Sequence, residues 1–250
     1  MGYTEVKFIE LNGLEIKTTL TDEEKSIDDH ISSFFTPTDD YGTKVIGFDV
    51  EWPVEYKDST DYLFKRANFQ LCDGNSCLII CLPFSSDVVP KSLHNFLRMP
   101  NYTFVGIGIK DNLAFLEKEH GIVFRNAVEL GPLAASLMKM PHLRYCGVDE
   151  LAFEVCKLDL RKYRPSRLAF NWGKYYINKE LVKHATVNVY SYHKIGSALL
   201  RPAPVPQMPV FIRRLLILFS VLLVYLFCRI FGRIFSVIVN VVWFFFVKMM

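Results

Sequence analysis

Apolar and polar residues alternate over residues 4–10, where Val6 and Phe8 are set against Glu5 and Lys7, and again over residues 14–19. A period of two predicts half-buried strands, and Asn12-Gly13 between the two runs predicts a tight hairpin. Thr21 followed by Glu24 predicts a capping box opening a helix that runs to about Phe35. After the loop Thr36-Pro-Thr-Asp-Asp-Tyr-Gly42, residues 44–50, 67–72 and 77–82 read as strands, the last two joined by the turn Asp73-Gly74-Asn75-Ser76. Residues 90–99 read as a helix, residues 103–109 as a short buried strand carrying two glycines, and residues 112–120 as a helix. Further helices are predicted over residues 132–139, 147–156 and 179–199. A hairpin, a meander and then strands alternating with helices predict an α/β fold, a mixed sheet with helices packed on it. A domain over residues 1–200 is long enough to bury a full core.

The pattern changes near residue 200. Arg201-Pro-Ala-Pro-Val-Pro-Gln-Met-Pro209 predicts a stiff, extended linker over residues 201–210. Residues 211–250 follow as a tail, with Arg213-Arg214, the uncharged run Leu215–Cys228, Arg229 and Arg233, and the apolar run Ile234–Val247. A membrane span needs about 20 apolar residues. Phe211 and Ile212 lengthen the first run, Arg229 can snorkel, and the basic pair fits a cytoplasmic flank. The expectation is a helical, membrane-seeking tail, as one span or a hairpin. It would anchor the protein to a membrane and leave residues 1–200 in the cytosol; without a true span, nucleus or cytoplasm is expected.

Composition adds little to this. Hydrophobic residues make up 51% of the 250 residues, an excess that lies in the tail. The formal net charge of +3 neither suggests nor excludes a polyanionic partner. Among the 6 cysteines there is no Cys-x-x-Cys pair, while Cys72 and Cys77 flank a turn and can face each other across a hairpin. Residues 1–20 have neither signal-peptide nor transit-peptide character, so reduced thiols are expected.

Candidate chemistry begins at Phe48-Asp49-Val50-Glu51-Trp52. On a strand Asp49 and Glu51 share a face. Two adjacent acids repel, which a divalent cation between them would offset; a water-facing acidic strand fits the same pattern. Asp111 follows the strand at 103–109, where open α/β sheets bind ligands, and could equally cap the next helix. His184 and Asn188 share one helical face, as a polar surface stripe also would.

Taken together, these blocks resemble the Werner-type 3′–5′ exonuclease family, especially its plant members. The resemblance rests on Ile46-Gly-Phe-Asp-Val-Glu-Trp-Pro53, Asn68-Phe-Gln-Leu-Cys72, Phe104-Val-Gly-Ile-Gly-Ile-Lys-Asp111, Val128-Glu-Leu130, Cys146-Gly-Val-Asp-Glu-Leu-Ala152, Asn171-Trp172 and Leu181-Val-Lys-His-Ala-Thr-Val-Asn-Val-Tyr190. It implies a ribonuclease H-like fold with an antiparallel meander, and with the strand at 103–109 parallel to that at 44–50. It also implies two-metal hydrolysis of phosphodiesters with Mg²⁺ or Mn²⁺. Asp49, Glu51 and Asp111 would be three of four carboxylate ligands. The family pattern at the last motif is Tyr-x-x-x-Asp, and this chain has His184-Ala-Thr-Val-Asn188. The missing charge is worth at most about 4 kcal/mol at an effective dielectric near 20.

The basic stretch Arg161-Lys-Tyr-Arg-Pro-Ser-Arg167 offers Lys162, Arg164 and Arg167, with Trp172 nearby, as nucleic-acid contacts. A solvated basic loop and a core tryptophan, Trp172 or Trp52, are the plainer alternatives. Two functions follow: a metal-dependent 3′–5′ exonuclease weakened at positions 184 and 188, hydrolysing or binding nucleic acid 3′ ends, or an inactive exonuclease-fold module that binds nucleic acid or a protein partner at a membrane.

Overall fold

A computed structural model describes residues 2–35, 44–51, 67–82, 89–165 and 177–201, with ten helical positions scattered between Phe211 and Phe244. The chain divides into two units, Met1–Arg201 and Pro202–Met250. In the first unit, β1 (Thr4–Leu11) and β2 (Leu14–Thr21) form the expected hairpin. Asn12 and Gly13 lie at φ +52° and +75°, the left-handed pair that a tight hairpin turn requires. The first helix, α1 (Glu24–Phe34), begins at Glu24 itself, and the Thr21 hydroxyl accepts the Glu23 N–H at 3.0 Å rather than closing a capping box with Glu24.

The strands β3 (Lys44–Glu51), β4 (Ala67–Cys72) and β5 (Ser76–Leu82) form the antiparallel meander. Cys72 and Cys77 are direct cross-strand partners. Both are buried free thiols, and burial beside Cys72 pushes Cys77 well above the ordinary thiol range. After α2 (Lys91–Leu97), β6 (Tyr102–Gly106) runs parallel to β3. This strand stops short of residue 109, because the chain turns through Gly108 at φ +68° directly into α3 (Ile109–His120). A short strand that the hydrophobic pattern did not announce, β7 (Ala127–Glu129), pairs parallel to β6. Then come α4 (Leu130–Met138), a 3₁₀ turn at Pro141–Tyr145, α5 (Val148–Cys156), a second 3₁₀ turn at Arg161–Tyr163, and α6 (Lys179–Leu200).

The sheet order is β1-β2-β5-β4-β3-β6-β7, with β2 joined to β5 in parallel, so the hairpin extends one edge as expected. Alternation along β3 sorts the two faces. Phe48 and Val50 point into one apolar layer with Phe34, Phe69, Phe96 and Phe104, under α1 and α2. Val45 lies in the other layer, with Val187, Val189, Tyr190 and Ile195 of α6. By the same alternation Asp49 and Glu51 belong to the α6 face.

The seat of α6 is made by Gly47. A Cβ there would lie 2.0 Å from the Val189 carbonyl oxygen, so only glycine lets the helix backbone rest on the strand. One ring nitrogen of His193, Nδ1, is 2.9 Å from the Val45 carbonyl oxygen, and the hydroxyls of Thr18 and Thr186 meet at 3.0 Å. These contacts fix the helix against both halves of the sheet.

The membrane anchor expected over residues 211–250 is overturned, and the membrane-tethered placement of the domain falls with it. Among the described residues no helix is long and apolar enough to cross a membrane. The physical reason lies in the charges. The run Leu215–Cys228 is bounded by Arg213-Arg214 and Arg229, and it falls short of the roughly 20 residues that a hydrocarbon core demands.

Gly47→Ala should cost about 1–3 kcal/mol by forcing α6 off β3, read as a lower midpoint in urea or thermal unfolding of the full chain. An unchanged midpoint would mean that the helix can shift without loss.

Candidate active site

Strand β3 presents Asp49 on the α6 side, 7% exposed. Its Oδ1 accepts the Val50 N–H at 2.8 Å and the Asn112 side-chain amide at 3.0 Å, and its Oδ2 accepts the Tyr192 hydroxyl at 3.3 Å. Burial outweighs these bonds and raises the carboxyl to about 6. Glu51, half-buried two residues on, is pushed up to about 7 by burial and then by the charge of Asp49. Tyr192 lies well above the ordinary phenol range, through burial and then the two carboxylates.

The N-terminus of α3 sets which side chain reaches Asp49. Glu129, at the end of β7, accepts the N–H groups of Gly108 and Ile109 at 2.9 and 2.8 Å. A carboxylate on these free amides suits the positive end of the helix. With the helix held this way, Asn112 is buried and turned to Asp49, while Asp111 points outward and is exposed. Asp111 makes no described contact with Asp49 or Glu51. Among the described residues no three His, Cys, Asp or Glu side chains are grouped to hold a metal ion.

His184, Asn188 and Tyr192 recur every four residues and form one stripe of α6. The stripe meets Arg164, which follows the second 3₁₀ turn. The Arg164 guanidinium donates through Nη1 to Asn188 Oδ1 at 2.6 Å and lies 3.3 Å from His184 Nδ1. Its Nε donates to Asp149 of α5 at 3.0 Å, and its Nη2 also pairs with that carboxylate. Asn188 Nδ2 approaches His184 Nε2 at 3.4 Å. Burial, and then the guanidinium, lower His184 to about 4, so its imidazole is neutral at pH 7.

The remaining basic candidates lie elsewhere. Lys162 is exposed, with its ammonium 4.8 Å from the Tyr163 ring centre. Arg167, Trp172 and Trp52 fall outside the described residues. Asn112, Tyr192, Asp149 and Glu129 were missed as site residues. Spacing signalled only Tyr192, one helical turn beyond Asn188.

A family model described as 3′–5′ exonuclease matches residues 35–200. The chain belongs to the 3′–5′ exonuclease domain family. Its relatives include the Arabidopsis thaliana protein RISC-interacting clearing 3′–5′ exoribonuclease 1, 34% identical over 121 residues, covering 48% of this chain and 60% of the relative. An A. thaliana 3′–5′ exonuclease is 27% identical over 177 residues, covering 70% and 59%. The mouse bifunctional 3′–5′ exonuclease/ATP-dependent helicase WRN is 26% identical over 157 residues, covering 61% of this chain and 11% of that protein. The chain therefore spans about three-fifths of the two plant relatives. In fold, the exonuclease domain resembles Trypanosoma brucei RNase D in complex with RNA U12, with a TM-score of 0.58 at 13% identity over 76% of this chain and 64% of that one. It also resembles the catalytic core of T. brucei RRP6, with a TM-score of 0.53 at 18% identity over 80% and 51%.

The family is one of divalent-metal-dependent nucleases, and two adjacent ions require several carboxylate oxygens. The described residues of this domain do not supply them. Both Asp49 oxygens already accept hydrogen bonds, Asn112 offers its amide NH₂, and the Asn188 carbonyl is taken by a cation. The set suits one divalent ion at most, on Asp49 and Glu51, and does not suit a pair.

The raised pKa of Asp49 has a testable sign. The folded protein holds a proton on Asp49 that the unfolded chain releases near pH 4, so this group favours folding at low pH and opposes it as pH rises through about 6. Asp49→Asn, a mimic of the protonated acid, should therefore be more stable than wild type at pH 8, by up to about 3 kcal/mol at 1.36 kcal/mol per pKa unit. The advantage should fall to about half at pH 5 and vanish below about pH 4, the unfolded carboxyl's range. Denaturant midpoints of both proteins across this range provide the check, and a constant difference would refute the shift.

Proposed function

We propose that the protein engages nucleic acid 3′ ends through its exonuclease domain and hydrolyses them slowly or not at all. Family membership supports the substrate class, and the relatives are described as 3′–5′ exonucleases and an exoribonuclease. The observation that carries the reading is the composition of the described site: the carboxylates of Asp49 and Glu51, the side-chain amides of Asn112 and Asn188, and the Arg164 guanidinium already paired with Asp149. Its amides, phenol and guanidinium give it hydrogen-bonding capacity suited to a strand end. It lacks the negative charge that would hold a metal pair against a phosphodiester.

The residues have separable roles in this reading. Asp49 and Glu51 take one Mg²⁺ or Mn²⁺ ion at most, and Mn²⁺ is favoured along the divalent series. Neutral His184 can accept a hydrogen bond or, at some cost, a proton. Exposed Lys162 is available for backbone phosphate contact, with Arg167 and Trp172 as further candidates in the same stretch.

The test pairs binding with turnover. Fluorescent single-stranded DNA and RNA with 3′-hydroxyl or 3′-phosphate ends should bind the full chain in a salt-dependent way, with the hydroxyl end preferred. Lys162→Ala should weaken all strands alike. Cleavage should be slow, should need metal, and should be faster with Mn²⁺ than with Mg²⁺. Fast Mg²⁺-dependent degradation would show that the amides serve as ligands. A complete lack of binding to every strand would sink the 3′-end reading.

A further inference from the structure

We propose that Arg164 is the resident cation of this site: its guanidinium holds the polar stripe of α6 in place of a second divalent ion and excludes that ion.

The two departures from the family's last motif become a single event in the structure. Position 184 carries an imidazole and position 188 an amide, and both face Arg164. Its Nη1 bonds Asn188 Oδ1 at 2.6 Å and lies 3.3 Å from His184 Nδ1. The other edge of the guanidinium is held by Asp149, at 3.0 Å from Nε and also through Nη2. A planar monovalent cation with directed donors is satisfied by one carboxylate, one carbonyl and one ring nitrogen. A divalent pair is not. The Arg164 side chain is only 17% exposed, whereas Asp149, its outer anchor, is 50% exposed, so the charge is held inside and not on the rim. Two like charges in one low-dielectric site repel, so a resident guanidinium makes a second metal ion costly.

The consequence runs against simple reversion. Asn188→Asp restores the family's carboxylate, but Arg164 stands ready to pair with it in a buried, hydrogen-bonded ion pair. Position 188 alone should therefore recover little metal binding. Removing the guanidinium as well should release the carboxylate.

The inference rests on family membership and site geometry, and its test reads metal ions, not nucleic acid. It can therefore stand or fall apart from the 3′-end proposal. Mn²⁺ titrations of the full chain, followed by the electron paramagnetic resonance of free Mn²⁺, compare wild type, Asn188→Asp, Arg164→Met and the Arg164→Met/Asn188→Asp double variant. Asn188→Asp alone should bind Mn²⁺ much as wild type does, and the double variant should bind about tenfold tighter or more. Thermal unfolding gives a second readout: Mn²⁺ should raise the midpoint of the double variant above its value in EDTA, and leave wild type nearly unmoved. If Arg164→Met does not fold, Arg164→Gln retains a donor to Asn188 and takes its place in the series. Equal Mn²⁺ affinity in Asn188→Asp and the double variant, at any level, would overturn the proposal.

Discussion

Everything at the site depends on how closely α6 lies on β3. The contact at Gly47 is backbone against backbone, with the Val189 carbonyl where a side chain would otherwise stand. Close packing of this kind has few alternatives, because interiors transmit strain and do not absorb it. The helix position decides in turn that Tyr192 reaches Asp49 and that Asn188 turns to Arg164. The opposite face of the strand is buried in an apolar layer built on Phe48, Phe69 and Phe104.

The second constraint is electrostatic. Asp49 and Glu51 sit side by side in a desolvated place, and both resist ionisation, rising to about 6 and about 7. A metal pair would reverse that resistance. This domain relieves it with neutral donors, an amide and a phenol on Asp49, and keeps its fixed positive charge on the Asp149 side of α6. The site is thus charge-poor by construction. Its fold and its chemistry are read at different levels: the sheet and helices belong to the exonuclease family, while the described side chains facing inward include two amides, of Asn112 and Asn188, and a guanidinium, Arg164.

Much of the fold was legible in the chain. Alternation marked β1 and β2, residues 44–50 read as the strand β3, Asn12-Gly13 marked the hairpin, and the helical runs fell within a few residues of α2, α4, α5 and α6, because these signals are local. The short β7 left no such signal: three half-buried residues carry no period, and their pairing to β6 is set by the sheet. The tail misled for a related reason. Composition reports how apolar a stretch is, whereas a span also needs an unbroken length, and Arg229 and Arg233 interrupt it.

By itself, the sequence determined that Asp49 and Glu51 share a strand face and that His184 and Asn188 share a helix face, since backbone periodicity decides both. It could not decide which residue of the pair Asp111–Asn112 faces inward. Neighbours on a helix differ by about 100° in direction, so the choice turns on where the helix starts, and Glu129, far off in the chain, sets that start by capping it. Nor could it show that one arginine in a basic stretch turns inward while Lys162 stays in water. That outcome needs acceptors from two different helices, Asp149 on α5 and Asn188 on α6, and only tertiary packing brings them to opposite edges of one guanidinium.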